Sequence, residues 1–510
     1  MENRLVAVLE VGSTGIRLLV ARLQGGGEWE TMDSAGRPVA LGRDVFGSGE
    51  LSRESLLECL SVLRNYRELL SGWGIEPEDA HGIATSALRV ARNRDIFIDR
   101  IRQETGFSLS VVDGLEENRL MYLGVRFALK QDLPLFWRAN SMILEMGGGS
   151  TEVMLLRQGQ MAAAHSIKLG TILIDRRMRM RAGPGFLNER YLRDSVHNTT
   201  GLLNADMDMT SVRTLVMAGA DARLAAARAG SKLNEHCYLL ARDDFIAFAE
   251  KARGYSVDDC IRKLGIPYSD AEGFVAGILV LRLFLERTGA AQVVVPLVSI
   301  REGYLIDLAL GVDPALQEEF HSQIIASAVS LGKKHSYEEA HALHVAGLCM
   351  TLFDALAREH GMSRRQRVML EAAAVLHDIG TIIKASGHQK HGHYIVSNSE
   401  LFGLTVGELE VIANVVRYHR GDAPSQSDAE YAALSREDRI LVLKMTSILR
   451  VADALDRGHS QKIKNLAVER RASSLVLNSG GVYDLSLEHI SIGEKADMFQ
   501  DVFGYKVVLS

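Results

Sequence analysis

SMILEMGGGSTEVMLLRQG, Ser141–Gly159, reads as an apolar strand ending in Glu145, a turn of small residues and a second apolar strand. An earlier stretch has the same plan. RLVAVLEVGSTGIRLLVARL, Arg4–Leu23, runs from a strand ending at Glu10 through the turn VGSTG into the strand IRLLVARL. Self-similarity of this kind indicates two related α/β lobes, each carrying a tight hairpin whose turn amides can face a phosphate.

The residues around these hairpins extend the α/β reading. Leu51–Gly72 carries Leu56, Leu60, Leu63 and Leu70 at helical spacing. HGIATSALRVARNRDIFIDRIRQETG and SLSVVDGLEENRLMYLGVRFAL each read as a strand, a turn and a helix, as does TLVMAGADARLAAARAG at Thr214–Gly230. Past Ser330 the pattern turns helical, with amphipathic stretches at Ala340–Gly361, Arg365–Ile379, Val406–Tyr418 and Arg436–Asp456. The tail returns to short strand-like runs, SSLVLN, YDLSLEHISI and GYKVVLS. The expected organisation is a lobe over 1–134, a second over 135–311, a helical domain over 312–465 and a small mixed appendage over 466–510.

The chain has 510 residues, and 58 Lys and Arg against 64 Asp and Glu give a formal charge of −6. Such a balance argues against a nucleic-acid coat while permitting a local basic groove for a polyanion. The four cysteines show no metal-binding spacing, which suits a reducing compartment. The apolar run ILVLRLFL, Ile278–Leu285, is too short to span a bilayer and contains Arg282. A soluble, cytoplasmic protein without membrane or nucleic-acid partners is expected.

The turns supply the candidate phosphate contacts: Ser13 and Thr14 in the first, and Gly147, Gly148, Gly149, Ser150 and Thr151 in the second. Glycines let backbone donors approach, and hydroxyls add further donors. Glu10 and Glu145, at matching strand ends, can hold Mg²⁺ through water, since magnesium favours carboxylate, water and phosphate oxygens. Arg89 and Arg92, one helical turn apart, are candidates for adjacent phosphoryl groups, with Arg17 and Lys168 behind them. Either member of the Glu116–Glu117 pair can orient and deprotonate a water, or serve as a first-turn helix charge.

A second constellation lies in the helical half. HDIG at His377–Gly380 is accompanied by His344, His391, His419 and Asp453. His344, His377, Asp378 and Asp453 suit one Mn²⁺, Fe²⁺ or Zn²⁺, and His391 with His419 suits a second position for which His388 and His393 compete. Two such ions can activate water and clamp a phosphate. The order H…HD…D resembles the HD phosphohydrolase superfamily. The basic pieces KASGHQKHGH and YHRGD offer a different role, threading an anionic chain.

VLEVGSTGIRLLVA, GIATSALRVARN, VVDGLEENRLMYLGV, LEMGGGSTEVML, HSIKLGT and SIREGYLIDLAL together resemble the exopolyphosphatase/guanosine pentaphosphate phosphohydrolase family, within the sugar kinase, Hsp70 and actin superfamily. HALHVAGLCMTLFDAL, LHDIGTIIKASGHQKHGHYIV and FQDVFGYKVVLS carry the likeness to the carboxyl end. The resemblance implies two actin-like (ribonuclease H-like) lobes followed by an α-helical HD-type domain and the mixed appendage. It also implies Mg²⁺-dependent release of terminal phosphate from inorganic polyphosphate, or hydrolysis of guanosine pentaphosphate, with Glu117 as the water-activating base, and a homodimer.

This chain departs from the family pattern. Its first motif is Glu10-Val-Gly-Ser-Thr-Gly15 where D-x-G-S-N-S is usual, Glu145 replaces the second Asp, and Ala218-Gly219-Ala220-Asp221 replaces a loop ending G-G-T. An extra methylene displaces a carboxylate by roughly 1 Å, and catalytic geometry tolerates little displacement. The leading expectation is an exopolyphosphatase. The alternatives are a nucleotide phosphohydrolase working through the HD centre, and a non-enzymatic sensor of polyphosphate or a guanosine alarmone.

Overall fold

Val6, Val8, Leu19 and Ala21 pack on one face of the first hairpin, and Ala7, Leu9, Leu18 and Val20 on the other, so a sheet buried on both sides follows directly from the continuous apolar run. The computed structural model describes residues 4–24, 29–129, 132–182, 189–310, 314–481 and 484–510. The chain divides into two units, Met1–Glu319 and Phe320–Ser510. Gly311–Asp313, at the expected join between lobe and helical domain, lie outside the described residues.

The first unit holds two sheets. Strands β1 (Arg4–Val11), β2 (Gly15–Leu23), β3 (Trp29–Pro38), β4 (His81–Ala84) and β5 (Leu109–Val111) lie in the order β3-β2-β1-β4-β5. The second sheet contains β6 (Ser141–Met146), β7 (Thr151–Arg157), β8 (Gln160–Ile167), β9 (Thr214–Ala218), β10 (Ser231–Asn234), β11 (Cys237–Ala241) and β12 (Gln292–Pro296), in the order β10-β11-β12-β9-β6-β7-β8. Read from the other edge, β8-β7-β6-β9-β12 repeats the first sheet, with the hairpin β10-β11 added outside. The sequence echo is therefore a repeat of topology. In both lobes the first three strands are antiparallel and the next pairs in parallel with the first.

Helices cover the sheets as their apolar spacing requires. Arg53–Gly72, started by Ser52 accepting from the Ser55 amide, buries Leu60, Leu63, Tyr66 and Leu70 in the first core. Tyr268–Arg287 contains the ILVLRLFL run and buries it in the second core. No single described helix is long and apolar enough to cross a membrane.

The second unit is mainly helical. Glu339–Ala355, Arg364–Leu376, His388–Ser397, Val406–Tyr418 and Arg436–Ala454 surround a core that includes Val345, Leu370, Ile412 and Ile448. The stretch expected as one helix over Ala340–Gly361 breaks at Leu356 and resumes as Ala357–His360. At the carboxyl end β13 (Ala467–Arg470), β14 (Ser474–Asn478) and β15 (Lys506–Leu509) form a three-stranded sheet. The run YDLSLEHISI corrects one expectation: from Ser486 it is a helix, Ser486–Lys495, while Tyr483 lies outside the described residues. Leu485, Glu488, Ser491 and Ile492 are buried, and that spacing is helical, not alternating.

Candidate functional site

Matching strand ends bring matching carboxylates together. Glu10 ends the apolar part of β1 opposite Arg17, and Glu145 does the same in β6 opposite Glu152. Both turns close alike, through Gly12 N–H to the Gly15 carbonyl and Gly147 N–H to the Ser150 carbonyl, each 2.9 Å. Ser13, Thr14, Gly147, Gly148 and Ser150 line one cleft with Glu10, Glu117 and Glu145. The HSIKLGT segment braces the second turn from behind. A Cβ on Gly170 would lie 2.4 Å from the Gly148 carbonyl, so only glycine permits this approach. Gly219 is equally constrained, with φ of 107° and the Met146 carbonyl 2.8 Å from where a Cβ would sit.

The Glu116–Glu117 ambiguity is resolved by what each residue touches. Glu116 is bound 2.7 Å from Arg119, which also pairs with Asp307. Glu117 points into the cleft, nearly buried, with Arg89 donating to its Oε1 at 2.9 Å. Burial pushes its carboxyl up to about 7, against the opposing pull of Arg89. Burial, then Glu117 and Glu10, push Glu145 up to about 8. Glu152 rises well above the usual range for the same first reason, while accepting from Ser166 at 2.9 Å and Asn118 at 3.3 Å. Glu10 is the matched member of the group, 3.5 Å from Arg17 and 3.3 Å from Arg301.

Oε2 of Glu145 is buried without a hydrogen-bond partner. A stranded polar atom costs roughly 1–3 kcal/mol. An all-oxygen donor set beside such an atom fits a hard divalent cation better than a protein partner.

Several expectations need correction. The helix over Ser86–Val90 stops there and Ala91 is extended, so Arg89 and Arg92 do not share a helix face. Arg92 instead points outward to Glu50 at 3.2 Å and to the Ser48 carbonyl. Thr151 is fully buried and its hydroxyl donates to the Leu169 carbonyl, which fastens the turn and leaves no donor for phosphate. Gly149 does not line the cleft; its Cα lies beneath Phe46 and Ser86. Lys168 is exposed, away from the lining. Asp221 does line the cleft, but burial and then Asp270 push its carboxyl up to about 7, which weakens the charge it brings to a phosphate region.

Arg223 and Arg301, not distinguishable from sequence alone, line the cleft with Arg17. Arg223 is half-buried and donates to the Val298 carbonyl, and desolvation lowers its pKa. Both lie in segments recognisable by their small-turn-then-helix pattern, ADAR and SIREG, but nothing local distinguishes them from surface arginines.

In the helical unit, His377 caps Arg364–Leu376, Asp378 follows it, His419 caps Val406–Tyr418 and Asp453 lies near the end of Arg436–Ala454. These four converge as expected. The other two places are taken differently. His341, fully buried at the start of Glu339–Ala355, faces His377, with Nε2 atoms 3.2 Å apart. His344 sits three residues on, outside the cluster, its Nε2 buried without a partner. His388 opens its helix and puts Nε2 3.0 Å from Asp378 Oδ1 and 3.2 Å from His419 Nε2. His391 and His393 lie outside the cluster because the αL residue Gly387 starts the helix at His388, aiming its first side chain inward. Burial pushes His377 down to about 4.

The sequence matches the Ppx/GppA phosphatase family over residues 19–311 and Ppx/GppA phosphatase domain III over 325–488. A guanosine-5'-triphosphate,3'-diphosphate pyrophosphatase of Photobacterium profundum is 23% identical over 516 aligned residues, covering 99% of this chain and 98% of the relative. One of Vibrio atlanticus is 24% identical over 457, covering 87% and 86%. Among solved structures, an exopolyphosphatase from Cytophaga hutchinsonii aligns with TM-score 0.55 at 20% identity, over 61% of this chain and 99% of that one. The Aquifex aeolicus Ppx/GppA family member aligns with TM-score 0.50 at 22% identity, over 60% and 98%. These structures share the two-lobed actin-like fold, and the first match alone spans more than half of the 510 residues: the chain belongs to the Ppx/GppA phosphatase family.

Proposed function

We propose that the chain hydrolyses the terminal phosphoanhydride bond of inorganic polyphosphate in the cleft between the two glycine-rich turns. One observation carries this reading: Glu117, tuned to about 7, faces a cleft that presents both turns and three arginines. A base whose pKa lies near the working pH combines adequate ionisation with adequate proton affinity.

The residues divide the work. The turn amides and Ser13, Thr14 and Ser150 hold the terminal phosphate, while Arg17, Arg223 and Arg301 offset the charge of the chain. Arg89 occupies Oε1 of Glu117, so Oε2 takes the proton from the attacking water, which is held in line with the leaving phosphate oxygen. Glu145 and Glu10 would hold Mg²⁺, which would supply charge neutralisation on the phosphate oxygens when bound.

A second substrate, guanosine pentaphosphate, is favoured by the relatives from Photobacterium profundum and Vibrio atlanticus, both named guanosine-5'-triphosphate,3'-diphosphate pyrophosphatase. The two share the bond broken and the residues used. Phosphate release should be measured from medium-chain polyphosphate and from guanosine pentaphosphate, each with Mg²⁺, for wild type and Glu117→Gln. Release from polyphosphate lost in the variant supports the leading reading; release confined to the nucleotide moves the assignment to the second. No release from either substrate sinks both.

A further inference from the structure

Glu117, Asn118 and Arg119 stand in the first turns of the helix Gly114–Leu129, and each is tied to a different part of the fold. Glu117 meets Arg89, on the short helix Ser86–Val90 of the first lobe. Asn118, fully buried, donates to Glu152 on β7 and to the His165 carbonyl on β8, both at 3.3 Å. Arg119 turns to a third side, towards the helix Ile300–Leu310. Neighbouring helical residues project about 100° apart, so three consecutive anchors fix the rotation of the helix start as well as its place.

Arg119 uses both edges of its guanidinium. Nε and Nη2 donate to the two oxygens of Glu116 at 2.8 and 2.7 Å, and Nη1 and Nη2 donate to those of Asp307 at 2.5 and 3.0 Å. A planar fork can grip two carboxylates in this way, and a lysine ammonium cannot. Burial disfavours the charge on Arg119, yet the two carboxylates outweigh it and hold its pKa above the usual value. The backbones also meet here: a Cβ on Gly303 would collide with the Leu120 carbonyl. The helix gripped through Asp307 carries Arg301 into the cleft, 3.3 Å from Glu10, and its start is closed by the Ser299 amide donating to Glu302 at 2.7 Å. Arg119 itself stands outside the cleft lining.

We propose that Arg119 is a positioning residue: with Glu116 and Asp307 it fixes the rotation of the helix start, so that the free oxygen of Glu117 meets the attacking water. The inference rests on Glu117 being the base for phosphate release. It gives the first member of the Glu116–Glu117 pair a task of its own, holding the guanidinium that holds the second. A displacement of about 1 Å at a reacting group costs on the order of 10²-fold in rate. The turn amides and Arg17 keep their own supports when Arg119 is removed, so the loss falls on kcat and spares KM.

The test is steady-state phosphate release from medium-chain polyphosphate with Mg²⁺, using the full chain. Arg119→Met and Asp307→Asn are each compared alone and combined with Glu117→Gln. Arg119→Met should lower kcat by about 10²-fold and Asp307→Asn by about tenfold, with KM within about threefold of wild type. In the Glu117→Gln background the same two substitutions should change kcat by less than about twofold, because the group they position is already disabled. General loosening of the fold would instead multiply the losses, and that result overturns the proposal. Asp307 is partly exposed and its Asn variant keeps the side-chain shape, so the comparison survives if Arg119→Met fails to fold by circular dichroism. Release lost in Glu117→Gln but kept in Arg119→Met and Asp307→Asn overturns the proposal alone. Release undiminished in Glu117→Gln overturns it together with the reading of the cleft.

Discussion

Arg89 donates to one carboxylate oxygen of Glu117 at 2.9 Å, from a short helix that follows the strand next to the first hairpin. Glu117 is buried and Arg89 partly so, and the other influences on Glu117 oppose its ionisation: desolvation first, then the neighbouring Glu10 and Asp113. Arg89 therefore sets how much of the base is ionised near neutrality as well as where it points.

Glu117→Gln keeps the shape of the side chain and removes its basicity. Phosphate release should fall by about 10²–10⁴-fold, the usual contribution of a general base. KM for the phosphate chain should change little, because the arginines and turns that hold it are intact. Steady-state phosphate assays separate the two quantities.

Wild-type kcat should rise with pH through an acid limb near 7, as Glu117 loses its proton. Arg89→Met removes the group that lowers this pKa, so the limb should move to higher pH by about one unit or more. A pH–rate profile that stays in place would assign the limb to another group.

Glu145 ionises near 8 in the fold and near its ordinary value when unfolded. A carboxyl with a raised folded pKa binds more protons in the native state, so stability falls as pH rises between the unfolded and folded values. Without divalent metal, Glu145→Gln should melt higher than wild type at pH 8.5, by about 1–3 °C, with the difference vanishing near pH 4. Calorimetry at the two pH values is the check.

Arg301→Ala and Arg92→Ala distinguish the lining of the cleft from its outside. Arg301 lies 3.3 Å from Glu10 and lines the cleft, so its loss should raise KM for a polyanion by about tenfold or more. Arg92 is bound to the exposed Glu50, and its loss should change kcat/KM by less than about twofold.

Gly170→Ala places a methyl group against the Gly148 carbonyl. The turn must shift to admit it, so phosphate release should fall by about 10-fold or more while the fold persists. Circular dichroism alongside the activity assay tells displacement of the turn from general unfolding.

The two glycine-rich hairpins, the repeat of lobes and the helical half were legible from residue pattern, because burial on both faces of a strand and on one face of a helix imposes periods that survive in one dimension. Glu10, Glu117, Glu145, His377, Asp378, His419 and Asp453 were legible because each stands at a strand or helix end beside a recognisable turn. The tertiary structure decided the rest. His341 and His344 lie on the same helix three residues apart, and His388 and His391 repeat that spacing, so sequence distance could not say which ring faces inward. The helix end at Val90 turned Arg92 outward, and the packing of one strand with two helix starts brought Arg17, Arg223 and Arg301 to one cleft. Local pattern determines which element forms and which face it buries. Which of two side chains a turn apart meets a partner distant in sequence depends on helix phase and packing, and those are fixed only when the whole core closes.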